Sequence, residues 1–142
     1  MTISNSEIQI ELKIQRGIRQ AEDQLVIAIQ DALDKTKYGN LEESQFRNLV
    51  RVADTTDSTE VIKNFLLYQV GREDKWGRGE GSLANRIIHD IDKTLKTAAE
   101  NIGKSVNRKN INSIWLELIR RYLGYGARYL MYKNKIKNPK SR

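Results

Sequence analysis

The sequence predicts an all-α fold, a single compact bundle of about five helices, on three observations. Apolar residues recur at spacings of three and four through most of its 142 residues. Strand punctuation is missing, with one proline (Pro139) and only 7% aromatic residues, where a sandwich or barrel needs more. The breaks between periodic stretches are short and rich in Gly, Asn, Asp and Ser, as loops in a bundle are. The length suits one domain with a real core. The boundaries read from the pattern are a bundle over 1–133 and a basic, flexible C-terminal tail over 134–142.

The first helix is expected over about Ser6 to Asp34. Its stripe is Ile10, Ile14, Ile18, Ala21, Leu25, Ala28, Ile29 and Ala32, with Gly17 on the buried side where another helix can come close. Ile8 and Leu12 lie off that stripe. A second helix, Leu41 to Ala53, turns Phe46, Leu49, Val50 and Ala53 inward, and Arg47 and Arg51, four apart, share one side as a small phosphate-facing or solvated pair. The third runs from Ser58 to Val70, capped by Asp57 or Ser58 and stopped by Gly71, with Val61, Ile62, Phe65, Leu66 and Val70 buried. Ser82 caps a fourth helix to Ile102, ended by Gly103. Its stripe is Leu83, Ile87, Ile88, Ile91, Leu95, Ala98, Ala99 and Ile102. The fifth spans Asn110 or Asn112 to Lys133 with Ile111, Ile114, Trp115, Leu118, Ile119, Tyr122, Gly126, Tyr129 and Leu130 inward.

Composition narrows the function classes. No stretch approaches the roughly 18 apolar residues of a membrane span, and the first residues lack signal-peptide order, so a cytoplasmic protein is expected. Without cysteine there is no disulfide and no thiolate metal site. One histidine, His89, excludes a two-histidine metal motif. His89-Asp90-Ile91-Asp92 reads as a rim histidine beside paired carboxylates, a magnesium site from Asp90, Asp92 and a remote acid being the alternative. No nucleophile elbow occurs, and neither an enzyme nor a cofactor is expected.

The net charge of +7 is unevenly placed. Residues 103–142 hold eleven Lys/Arg and one acid, a balance of +10, while residues 1–102 carry −3. That asymmetry favours a polyanionic partner, nucleic acid first and an anionic membrane surface second; a solubilising basic tail is the bland alternative. Two stretches can carry the contact. The glycine-rich loop after the third helix offers Arg72, Lys75 and Arg78 for phosphates and Gly79, Gly81 and Ser82 at a helix N-terminus. Its Trp76 either stacks on a base or folds back onto the bundle. The loop lacks the Lys-Ser/Thr pair of a P-loop and follows a helix, so it is not a nucleotide-binding loop. The fifth helix offers Arg120, Arg121 and Arg128, with Arg121 and Arg128 in line and Lys133, Lys135 and Lys137 continuing beyond them. Tyr125 and Tyr132 lie interleaved. A helix-turn-helix is the rival, but the third helix has only Lys63 as a cation within it.

The residues Arg47-Asn48-Leu49-Val50, then Ser58, Val61, Phe65, Tyr68, Gln69, Gly71 and Arg72, with Trp76 following, resemble the small helical subunits of type III CRISPR effector complexes. The agreement covers residues 47–76; elsewhere it is one of size, helicity and basic charge. The resemblance implies a non-catalytic antiviral-defence subunit stacked in copies along a guide-RNA complex. Such a subunit contacts the target strand, neighbouring subunits and its own copies, while other subunits cleave. The remaining alternatives are a freestanding nucleic-acid-binding protein and a structural oligomerisation bundle.

Overall fold

A computed structural model describes residues 5–137, and over them the chain is all-α. Five helices follow one another: α1 (Asn5–Lys35), α2 (Glu43–Thr55), α3 (Thr59–Arg72), α4 and α5 (Asn112–Lys137). Helix α4 is continuous through three segments, Leu83–His89, a π-helical Asp90–Leu95 and Lys96–Ser105. One 3₁₀ turn, Asp74–Trp76, precedes it. Among the described residues there is no strand, only a parallel bridge between Lys37 and Ser82.

Helix α5 is the centre of the bundle, packed on α1, α2 and α4. Its burial goes beyond one stripe: Leu116, Leu123 and Ala127 join Ile114, Leu118, Ile119, Tyr122 and Leu130 in the core. A helix covered on several sides is apolar on several sides. Contacts fix the directions. Helices α1 and α5 run parallel, since Glu22 meets Tyr125 and Asp34 meets Lys133. Helix α2 runs antiparallel to α5, since Ala53 meets Arg120 and Leu41 meets Asn134. Helix α4 runs antiparallel to α1: Arg86 reaches Ala28, while Ile102 packs on Gly17.

The inward stripe of α1 is as its spacing predicts, with Leu33 added, and Ile8 and Leu12 are exposed. Several element ends differ from the sequence reading. Helix α2 begins at Glu43, because Glu42 and Gln45 form a reciprocal capping box; Leu41 is buried just outside it. Ser58, not Asp57, caps α3, its Oγ accepting from the Val61 N–H at 3.2 Å. Gly71 does not end that helix, which continues to Arg72 and stops at extended Glu73. The stop is tertiary: Gln45 holds the Glu73 carboxylate at 3.0 Å, and Trp76 turns into the core. Val61, expected inside, is exposed because α3 lies at the edge of the bundle and only Thr59, Ile62 and Leu66 reach its interior. Helix α4 passes through Gly103 to Ser105, and the left-handed residue that ends it is Asn107 (φ 57°). Helix α5 continues four residues past Lys133, to Lys137; residues 138–142 of the expected tail lie outside the described residues.

The π-helical segment of α4 has no signal in the apolar period. Widening the turn withdraws backbone partners. The Trp115 indole N–H compensates by donating to the Ile91 carbonyl at 2.8 Å, while the Lys96 ammonium lies over its ring.

The loop between α3 and α4 is tied to the α1–α2 linker. Lys37 donates to the Gly81 carbonyl and accepts from the Leu83 N–H, and Gly39 donates to the Lys75 carbonyl. Gly77 sits at the crossing with φ 77°, where a Cβ would stand 2.3 Å from the Lys37 carbonyl oxygen. Gly79 has a similar φ, 74°, with open space around it. Gly77→Ala is therefore expected to cost about 2–4 kcal/mol, left-handed strain plus the clash, and Gly79→Ala about 1–2 kcal/mol from strain alone. Urea denaturation of the two variants checks the difference, and equal losses would contradict the crossing.

Candidate nucleic-acid interface

At one end of the bundle the last turns of α5 meet the end of α1, the α1–α2 linker and the 3₁₀ turn. They enclose an open groove bordered by Tyr38, Lys75, Tyr129, Tyr132, Lys133 and Lys137. Lys75 comes from the loop and Lys133 and Lys137 from α5, so this groove joins the two stretches that the sequence offers separately.

The parts of the groove are positioned by ordinary bonds. Tyr38 donates to the Leu33 carbonyl at 2.8 Å, folding the linker back on α1. Asn134 donates to the Leu41 carbonyl at 3.0 Å, holding α5 against the same linker. Tyr129 and Tyr132 stack with centroids 5.9 Å apart and planes 25° from parallel. Tyr132 is 59% exposed, which leaves ring surface open to a base. The Lys133 ammonium lies 5.5 Å from the Tyr129 centroid and 2.5 Å from the Asp34 carboxylate. Tyr129 donates to the same carboxylate. The Lys133 bond, with that of Tyr129, holds the Asp34 carboxyl below its ordinary range, and the Asp34 partnership raises both Lys133 and Tyr129. Lys75 stands 3.7 Å from Glu42, and Lys137 is exposed.

The arginines expected along α5 take other places. Arg120 donates to the Ala53 and Thr56 carbonyls, both at 2.8 Å, and so closes the C-terminal end of α2. Arg121 is held between Glu117 at 2.8 Å and Glu22 at 3.1 Å. Arg128 is exposed over the Tyr125 ring, and the Tyr125 hydroxyl donates to Glu22. The three arginines border one shallow cleft with Val50 and Gly124, but Asp54 and Glu117 border it too. The expected line through Arg121, Arg128 and Lys133 is thus divided: Lys133 turns to the groove. Lys135 is exposed on the last turns of α5.

The loop residues divide in the same way. Trp76 is wholly buried against Phe46 at 5.4 Å, with its Nε1 unpaired, so the fold-back reading holds and base stacking is overturned. Burying a ring of this size outweighs leaving one indole N–H unpaired. Arg78 caps α3 by donating to the Val70 carbonyl and pairs with Asp74. Arg72 lies over the Tyr68 ring. Neither borders the groove. The phosphate-receiving helix start after Gly81 is closed, because the Leu83 N–H goes to Lys37 and the Asn85 N–H to Ser82 Oγ. Arg47 pairs with Glu43, and Arg51 donates to Asn48.

The carboxylates of α4 are engaged as well. Asp90 is 3% exposed and accepts from Arg86 Nε and, at 2.7 Å, from the Tyr122 hydroxyl. Arg86 extends this network to Asp31 and the Ala28 carbonyl, and burial raises Tyr122 well above its ordinary range. Asp92 is bound by Lys63 at 2.9 Å, and His89 is exposed. Among the described residues no group of acids and histidine is arranged for a metal. The sequence reading missed Tyr129 as a groove residue, placing it in the core, and Asp34 as its partner. The spacing of Tyr129, Tyr132 and Lys133, three and four apart, was the signal that could have found them.

Comparison of the chain with protein-family models, curated proteins and solved structures finds no match in any of the three. No helix among the described residues is long and apolar enough to cross a membrane.

Three carboxylates on α1 share one behaviour. Tyr125, then Arg121, lowers Glu22; Lys35, then Arg86, lowers Asp31; Lys133, then Tyr129, lowers Asp34. Since the folded values lie below the unfolded ones, the stability they add is complete above the unfolded range. It is lost as pH falls through the folded values, below about pH 4. Urea midpoints recorded from neutral pH downward are expected to fall over that window. A triple variant, Glu22→Gln, Asp31→Asn and Asp34→Asn, is expected to show a shallower fall.

Proposed function

We propose that the chain is a non-catalytic RNA-binding protein, the small helical subunit of a type III CRISPR ribonucleoprotein effector complex. On this reading it holds the guide or target strand by its sugar-phosphate backbone. The observation that carries it is the groove, where Lys75, Lys133 and Lys137 from distant parts of the chain meet the stacked pair Tyr129 and Tyr132. Lysines for phosphates beside an open aromatic face are what sequence-tolerant binding of a single strand needs. Placement in a CRISPR complex rests on the resemblance over residues 47–76. Contacts with other subunits or with further copies are supported by exposed apolar residues at both ends of the bundle. Ile8 and Leu12 lie on α1 at one end, and Met131 and Ile136 on α5 at the other. The same residues favour the second reading, a structural oligomerisation bundle, and RNA binding separates the two. The reading assigns the chain no catalytic step and no cofactor, and places it in the cytoplasm.

Fluorescence anisotropy of a labelled single-stranded oligouridylate, titrated across salt concentrations, tests the proposal. Affinity is expected to fall steeply with salt. Lys133→Ala with Lys137→Ala is expected to flatten the log–log slope by about 0.7 for each phosphate that no longer meets a lysine. Arg120→Ala, a helix-capping residue, is expected to lower stability and leave the slope as it was. An unchanged slope in the double lysine variant would overturn the groove as the binding face. Co-expression with guide RNA and the other effector subunits tests the assembly, and a chain that stays outside the complex overturns that placement.

A further inference from the structure

We propose that Asp34 gates the groove by occupying the Lys133 ammonium that an RNA phosphate would take, with Glu42 doing the same more weakly at Lys75. The inference rests on the groove being the RNA-binding face and adds a regulation of that site. Its basis is geometric. Asp34 lies 2.5 Å from Lys133 and also accepts from Tyr129, so one carboxylate holds both a cation and an aromatic residue of the groove. Glu42 stands 3.7 Å from Lys75, which borders the same groove.

A carboxylate presents the ammonium with the same kind of charged oxygen as a phosphodiester. Lys133 must leave Asp34 before it engages a phosphate, so apparent affinity is reduced by the fraction of the chain in which the pair is open. Both partners are partly solvated, 30% and 42% exposed in their side chains, so the pair opens at modest cost. A short or isolated strand therefore binds weakly. A strand that reaches several cations at once displaces the carboxylates together. Asn at position 34 keeps an oxygen for Tyr129 while removing the charge.

The test compares wild type with Asp34→Asn, Lys133→Met, the two together, and Glu100→Gln. Glu100 is an exposed acid on the part of α4 that packs towards the other end of the bundle, and its neutralisation makes the same change in net charge. With the labelled oligouridylate at fixed salt, Asp34→Asn is expected to bind up to about fivefold tighter, the most that an exposed ion pair is worth. In the Lys133→Met background it is expected to change nothing, and Glu100→Gln is expected to gain less. Circular dichroism melts check the folds. Should Asp34→Asn not fold, Glu42→Gln, which keeps the acceptor of the α2 cap, is expected to tighten binding through Lys75. If wild type binds in a Lys133-dependent way and Asp34→Asn is no tighter, or gains equally without Lys133, the gate is overturned and the groove stands. If no variant binds at low salt, both are overturned.

Discussion

The close approach at Gly126 sets the register of the bundle. A Cβ there would lie 2.7 Å from Ile29 and 2.7 Å from Phe46, so α5 touches α1 and α2 at one point where only hydrogen fits. A helix advances about 1.5 Å per residue with little freedom to slip, and fixing one point fixes the rest. One turn beyond Gly126, Tyr129 reaches Asp34, and one more turn brings Lys133 to the same carboxylate and Asn134 to the Leu41 carbonyl. In the other direction Tyr125 and Arg121 fall on Glu22. The groove follows from a close approach three residues before Tyr129.

That register also reassigns the charge. The balance of +10 over residues 103–142 and −3 over the rest suggests a basic third free to meet a polyanion. Three of its eleven cations are used inside the molecule. Arg121 is matched to Glu22 and Lys133 to Asp34, both acids of α1, and Arg120 to the carbonyls that end α2. Glu22 and Asp34 of the first helix and Arg121 and Lys133 of the last are therefore two sides of one interface. Along α5 the outward charge is narrower than the sequence suggests, with Arg128 exposed over Tyr125, Lys135 exposed on the last turns and Lys137 beside the groove.

The helices were legible because their signal is local. The Ile14, Ile18, Leu25, Ile29 spacing and the Phe46, Leu49, Ala53 spacing each define a face whatever covers it. The ends were less so, because Glu73 stops α3 through Gln45 and Asn107 closes α4 by a left-handed turn, both choices made by neighbours distant in sequence or by one residue in the loop. The π-helical segment was not legible at all, since Trp115 supports it from another helix. Of the candidate site, the lysines and Tyr132 were read, while Tyr129 and its partner Asp34 were not. Lys75 and Lys133 come together only once the linker and α5 are docked. Trp76 illustrates the limit from the other side: a tryptophan amid cations and glycines reads equally as stacking platform or core, and Phe46 decides it.

The two tryptophans make the molecule its own optical instrument. Trp76 is sealed against Phe46, away from water and with no partner for its N–H, a setting for blue emission that ions in solution do not quench. Trp115, in the first turn of α5, donates to a carbonyl and carries an ammonium over its ring, a more polar setting. Phe46, on which Trp76 packs, touches α5 at Gly126, roughly 16 Å of helix from Trp115, so the two emissions come from separate places in the bundle. Light absorbed by one indole reports on the seam between the loop and α2, and light absorbed by the other reports on the π-helical seam.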